Sequence, residues 1–170
     1  ILDQAGFDVT VVNEDLLGRR LSITDLDADH LCLTCLTSTV ERGYELADQF
    51  RLANPGGKVY MGGPHVAFLQ EEALAHADHV ITGEGESIVV DLLTHGTDED
   101  VVEGRKVCDL DTLPFIDWNL LAGKDRLKVQ PMMFSRGCPF GCNFCSVTAM
   151  FGRKYRAMSA PRVLEEVDRA

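Results

Sequence analysis

Three cysteines crowd one short stretch, Cys138-Pro-Phe-Gly-Cys142-Asn-Phe-Cys145, at C-x3-C-x2-C spacing. Thiolates are soft ligands that suit zinc and iron–sulfur clusters alike. A structural zinc site wants four protein ligands. Three close cysteines can instead hold three corners of a 4Fe–4S cubane and leave the fourth iron open to a substrate. The spacing favours the cluster, with zinc completed by His65, His76 or His79 as the other option, although no spaced histidine pair follows the cysteines. The remaining cysteines are Cys32, Cys35 and Cys108. Cys32 falls inside a strand pattern, where small buried thiols are ordinary. Cys35 sits at that strand's end and could touch a ligand, but a structural role is expected for all three. A disulfide framework is not expected in a chain of this size that shows no secretory signal.

The elements that must position these groups read as a parallel α/β sheet, because short β-branched runs alternate with helical patterns. Asp8–Asn13, His30–Thr34, Lys58–Met61 and His79–Thr82 predict strands. Ser38-x-x-Glu41 reads as a capping box opening a helix through Val40, Tyr44, Ala47 and Phe50. Further helices are predicted over Ala67–Ala75 and through Ile88, Val89, Leu92 and Leu93. From Thr97 to Gly104 the chain turns polar and acidic, and Asp109–Trp118 lacks clean periodicity, so a domain boundary and an ordered linker are expected there. Lys128–Phe134 predicts a strand leading into the cysteine loop, and Ser159 with Pro161 predicts the start of a last helix. The expected domains are 1–108, a linker over 109–126, and 127–170.

The 170 residues carry 16 Lys+Arg against 27 Asp+Glu, a net charge of −11, with 45% apolar residues. That balance supports a packed core and excludes general disorder. No apolar run approaches the ~18 residues a membrane span needs. Nucleic acid is disfavoured as a partner by the net charge. Arg153, Lys154, Arg156 and Arg162 form a local basic patch whose simplest reading is a solvated surface. With no export signal in view, a cytoplasmic setting is expected.

The cysteine spacing, with Phe144 before the last cysteine and Ser135-Arg136-Gly137 in front, resembles the radical S-adenosylmethionine superfamily. Upstream stand Gly62-Gly63-Pro64-His65, Gly83-Glu84-Gly85-Glu86 and Asp109-Leu-Asp-Thr-Leu-Pro-Phe-Ile-Asp-Trp118, in that order. Together they resemble the cobalamin-binding-domain members of that superfamily over essentially the whole chain. The resemblance implies a flavodoxin-like sheet holding cobalamin over the carboxyl ends of its strands, followed by the start of a radical (β/α) barrel. It makes Cys138, Cys142 and Cys145 the ligands of a 4Fe–4S cluster whose free iron is chelated by S-adenosylmethionine, and it places Phe144 near cluster and adenine. It carries cobalamin contacts onto Thr37, Ser38 and Thr39, onto Gly62, Gly63 and Pro64, and onto Gly83, Glu84 and Gly85.

Each of these has a plainer reading. Strand-end glycines serve tight turns with or without a ligand. Thr37 and Ser38 could be helix caps. Gly83-x-Gly85 alone is weak, since Ile88 stands where a dinucleotide fingerprint needs a small residue. His65 reads more simply as a solvated loop histidine than as a ligand.

The ends read as cut. A flavodoxin-like sheet has its first strand at the centre, and here that strand and any D-x-H-x-x-G loop would precede Ile1. A complete barrel needs on the order of 200 residues, and only 127–170 are available, so no turnover is expected of these 170 residues alone. The expected parent activity is methyl transfer from cobalamin to an unactivated carbon, with a small-molecule substrate and an electron donor such as flavodoxin or ferredoxin. Cyclisation or rearrangement is the alternative. A tRNA methylthiotransferase would need Cys32, Cys35 and Cys108 as a second cluster site, and a non-catalytic cobalamin carrier would leave the cysteine loop unexplained.

Overall fold

The computed structural model describes residues 1–22 and 27–169. Its elements, in chain order, are α1 (Glu14–Leu17), β1 (His30–Thr34), α2 (Val40–Ala53), β2 (Lys58–Gly62), α3 (Gln70–Leu74), β3 (His79–Gly83), α4 (Val89–His95), β4 (Val101–Gly104), β5 (Ser135–Arg136), α5 (Val147–Phe151), β6 (Arg156–Ala157) and α6 (Ala160–Arg169). They fall into two compact units, one of Ser22–Lys106 and one of Ile1–Leu21 with Val107–Ala170.

The first unit is an α/β fold of flavodoxin-like type. Its four strands lie in the order β1-β2-β3-β4, all parallel. Alternation decides which side chains meet the helices. Leu31 and Leu33 pack toward the cluster formed by Val59, Met61, Val80, Phe50, Ala47, Val40 and Ala73. On the opposite face Tyr60 stacks with His79 at 5.4 Å and tilts against His30 at 5.7 Å. Asp78 ties the starts of two strands together: its carboxylate accepts the Val59 N–H at 2.9 Å and the Lys58 ammonium at 3.2 Å.

Several expectations need correction. Asp8–Asn13 is not a strand of this sheet; Val11 forms a single parallel bridge to Leu121, its backbone groups being taken by Leu120 and Ala122. The acidic stretch before Arg105 contains β4, whose backbone pairs with β3 from Val80↔Val101 to Gly83↔Gly104. The Ser38 capping box does not form, because α2 starts at Val40 with Thr39 as N-cap and no side-chain cap bond. The Ala67–Ala75 helix shrinks to Gln70–Leu74 behind turns at Gly63–Leu69. Lys128–Phe134 is not a strand. Pro131 interrupts it and cannot donate to a ladder, and pairing begins only at Ser135.

In the second unit, the irregular segment from Asp109 to Trp118 is fastened to α6. The Asp111 carboxylate accepts the Ser159 N–H at 2.8 Å, and Arg162 donates to the Leu113 carbonyl at 2.8 Å and to Glu166 at 2.7 Å. Arg162 and Arg169 lie 3.4 and 3.7 Å from the centroid of the Phe115 ring, which two guanidiniums can do only from opposite faces. Ser159 caps α6 as expected, its hydroxyl accepting the Arg162 N–H at 3.3 Å. Half of the anticipated basic patch is therefore structural: Arg162 holds this junction, and Arg156 is buried and donates to the Val107 carbonyl.

Candidate cofactor site

The carboxyl ends of β1, β2 and β3 open on one edge of the sheet, where ligands of open α/β folds bind. After β1 the chain exposes Leu36, Thr37, Ser38 and Thr39 in succession. The Thr39 hydroxyl accepts the Leu36 N–H at 3.1 Å and so shapes the turn. Thr37 and Ser38 cap no helix, which removes their plain reading.

After β2, Gly63 takes φ +97°, and a Cβ there would lie 2.6 Å from Thr34 Oγ1 and 2.9 Å from the Cys35 nitrogen. The turn needs glycine for its own backbone, whatever approaches it. It delivers His65 into the gap beside the β1 loop. His65 is 6% exposed. Its N–H bonds the Cys35 carbonyl at 3.1 Å, Nδ1 lies 3.1 Å from Thr37 Oγ1, and Nε2 lies 3.4 Å from Glu72. The expectation of a solvated histidine fails, and with both ring nitrogens engaged it is not poised as a metal ligand. Beside it, the Tyr44 hydroxyl is pushed up to about 12 by burial and by the neighbouring Glu72 carboxylate. Burial likewise raises the thiol of Cys35, which is sealed in the core.

After β3, Gly83 at φ +68° and Gly104 form a tight crossing: a Cβ on Gly83 would meet the Gly104 carbonyl at 2.4 Å, and one on Gly104 would meet the Glu84 carbonyl at 2.2 Å. Glu84 is only 3% exposed. The Ser87 hydroxyl donates to the Glu84 carbonyl at 3.1 Å and accepts the Arg105 N–H at 2.7 Å. Gly62, Pro64 and Gly85 sit in these same loops. All nine predicted strand-end residues thus share one edge of one sheet.

The cysteine loop is built differently. It lies within the turn between β5 and β6, which pair antiparallel through Ser135↔Ala157 and Arg136↔Arg156. Gly137 at φ +80° lets the chain pass the Lys154 carbonyl, which a Cβ would strike at 2.3 Å, and Cys138 donates to the Gly152 carbonyl at 3.2 Å. Cys138 and Cys145 are half-buried and Cys142 is exposed. Phe144 is 90% exposed. Among the described residues no three His, Cys, Asp or Glu side chains are drawn into a metal-holding group. As a donor set, three thiols on one tight loop match three corners of a cluster in number and softness.

The alternative ligands are otherwise occupied. His76 bonds Asp48 at 2.9 Å, and His79 bonds the Glu99 carbonyl at 2.9 Å. Cys32 is exposed rather than buried, on the sheet face opposite the core that encloses Cys35, so these two thiols do not converge.

A cleft of about 900 Å³, unanticipated from the sequence, lies in the second unit, walled by Asp111 to Asn119 with Lys124, Asp125, Arg162 and Arg169. Its aromatic and charged residues lack periodicity, and contacts with α6 make the wall.

Residues 1–93 match the family described as B12 binding domain. The chain belongs to that family. The B12-binding chain is 32% identical over 160 aligned residues to the bacteriochlorophyllide d C-8(2)-methyltransferase of Chlorobaculum tepidum, covering 86% of itself and 34% of that protein. It is 26% identical over 195 residues to the hopanoid C-3 methylase of Methylococcus capsulatus, covering 99% of itself and 38% of that protein. It is 27% identical over 181 residues to the anaerobic magnesium-protoporphyrin IX monomethyl ester cyclase of Rubrivivax gelatinosus, covering 88% of itself and 32% of that protein. The chain thus spans about a third of the length of these relatives. No helix among the described residues is long and apolar enough to cross a membrane.

Proposed function

We propose that this B12-binding chain is part of a cobalamin-dependent radical S-adenosylmethionine enzyme that transfers a methyl group to an unactivated carbon of a small molecule. The reading rests on one combination: a B12-binding match over residues 1–93 followed, in the same chain, by the three-thiol loop Cys138–Cys145. When bound, cobalamin, the 4Fe–4S cluster and S-adenosylmethionine supply a transferable methyl group and a carbon radical; the protein aims them.

In this reading each group would be held by residues of this chain. Cys138, Cys142 and Cys145 hold the cluster, and the exposed Phe144 ring offers an apolar surface to the nucleoside. Thr37, Ser38 and Thr39 offer hydroxyls to the amide-rich rim of a corrin, while Gly62, Gly63, Pro64, Gly83 and Gly85 keep the neighbouring strand ends low. Glu84, being buried, acts through its backbone. A donor such as flavodoxin or ferredoxin would supply the electron the cluster needs, in a cytoplasmic setting.

Two relatives bearing methyltransferase or methylase names favour methyl transfer. The relative named as a cyclase supports ring formation as the second reading. The full-length enzyme, given S-adenosylmethionine with an isotopically labelled methyl group, is expected to place label in the product. Product free of label would assign cyclisation instead.

A further inference from the structure

The His65 side chain joins two of the three strand-end loops, and its hydrogen-bond polarity fixes that of the Thr37 hydroxyl it touches. Glu72, half-exposed, faces Nε2 at 3.4 Å, and Thr37 Oγ1 faces Nδ1 at 3.1 Å. In its neutral form, and only there, the imidazole carries one N–H and one lone pair. Placing the lone pair toward the Glu72 carboxylate would set two acceptors against each other, so the proton belongs on Nε2. Nδ1 is then the acceptor, and the Thr37 hydroxyl must give it its only hydrogen. What Thr37 presents at the exposed edge is the remaining lone-pair capacity of its oxygen.

From this we infer that His65 is a positioning residue that turns Thr37 into a fixed hydrogen-bond acceptor, so that the strand-end site selects ligand groups bearing an N–H or O–H donor. Under the proposed cobalamin reading, on which the identity of the ligand rests, that donor is a primary amide of the corrin rim. The surroundings hold the ring in place. Tyr44 packs edge-on at 6.5 Å, and the His65 carbonyl accepts the Phe68 and Leu69 N–H groups at 3.1 Å. Thr37 and His65 are 28 residues apart in sequence, so the acceptor is set by the fold rather than by the local turn.

The test uses the whole chain and has two arms. In the first, ring nitrogen–proton correlation spectra of ¹⁵N-histidine-labelled, ligand-free protein, recorded about two pH units above the ~6.5 of an ordinary imidazole, are expected to show the ring proton of His65 on Nε2. A proton on Nδ1 would overturn the inference whether or not cobalamin binds. In the second, hydroxocobalamin is titrated by absorbance. Thr37→Val and His65→Leu are each expected to weaken binding about tenfold, the scale of one lost hydrogen bond. The double variant should bind no worse than either single one, because His65 acts through Thr37. Thr37→Ser and His65→Gln, which keep the hydroxyl and an amide acceptor–donor pair, are expected to restore most of the affinity. Multiplying losses, or wild-type binding by His65→Leu, would overturn the inference. Wild-type protein that takes up no hydroxocobalamin would instead contradict the proposed function and leave the histidine tautomer to decide the inference.

Discussion

At the scale of single residues, the strand-end loops depend on backbone shapes that only glycine adopts cheaply. Gly63→Ala is expected to destabilise the chain by about 2–4 kcal/mol, from a left-handed φ and a Cβ driven against Thr34 and Cys35. Urea unfolding measures it, and an unchanged midpoint would show that the turn can open without cost. That these glycines mark turns was readable directly, because Gly62-Gly63-Pro64 closes the short apolar run Val59-Tyr60-Met61. The three thiols of the cysteine loop were equally plain, since their spacing is itself the signal. His65 was not legible: its partners Thr37 and Glu72 come from another loop and from a helix, and no periodicity announces contacts of that kind. Cys32 was misread for a related reason, since alternation places it on one face of a strand without saying whether that face is covered.

At the scale of elements, strands with a clear apolar run were found and those defined by pairing were missed. β1, β2 and β3 appear in the sequence within a residue of their ends. β4 has only Val101 and Val102 to show, after an acidic run, and the β3 backbone makes it a strand. Conversely, Asp8–Asn13 has the composition of a strand but finds only a single bridge. Beside the backbone pairing, Asp78 joins the starts of β2 and β3. Burial raises its carboxyl pKa, but the Val59 N–H and the Lys58 and Arg51 charges together outweigh burial and hold it below the usual carboxylate range. A carboxyl whose pKa is lower folded than unfolded stabilises the fold above its unfolded value, ~3.9. Asp78→Ala is therefore expected to cost about 1–3 kcal/mol at neutral pH. The gap from wild type should narrow as the pH falls below about 4 and through the lower folded value. Denaturant melts from pH 7 to 3 check this; a gap that stays constant would show that the charge contributes nothing.

The whole molecule carries a B12-binding sheet in Ser22–Lys106 and a three-thiol loop in the unit containing Val107–Ala170. The net charge of −11 and the divergent settings of Cys32 and Cys35 both weigh against a tRNA-modifying enzyme with a second cluster. Low-temperature EPR of the chain, reconstituted anaerobically with iron, sulfide and hydroxocobalamin and reduced with dithionite, tests that union most directly. The expected result is a cob(II)alamin signal together with a reduced 4Fe–4S signal that shifts when S-adenosylmethionine is added and disappears in Cys142→Ala. A protein carrying stoichiometric zinc and no cluster signal would contradict it, leaving a cobalamin-binding sheet beside a zinc-stapled loop.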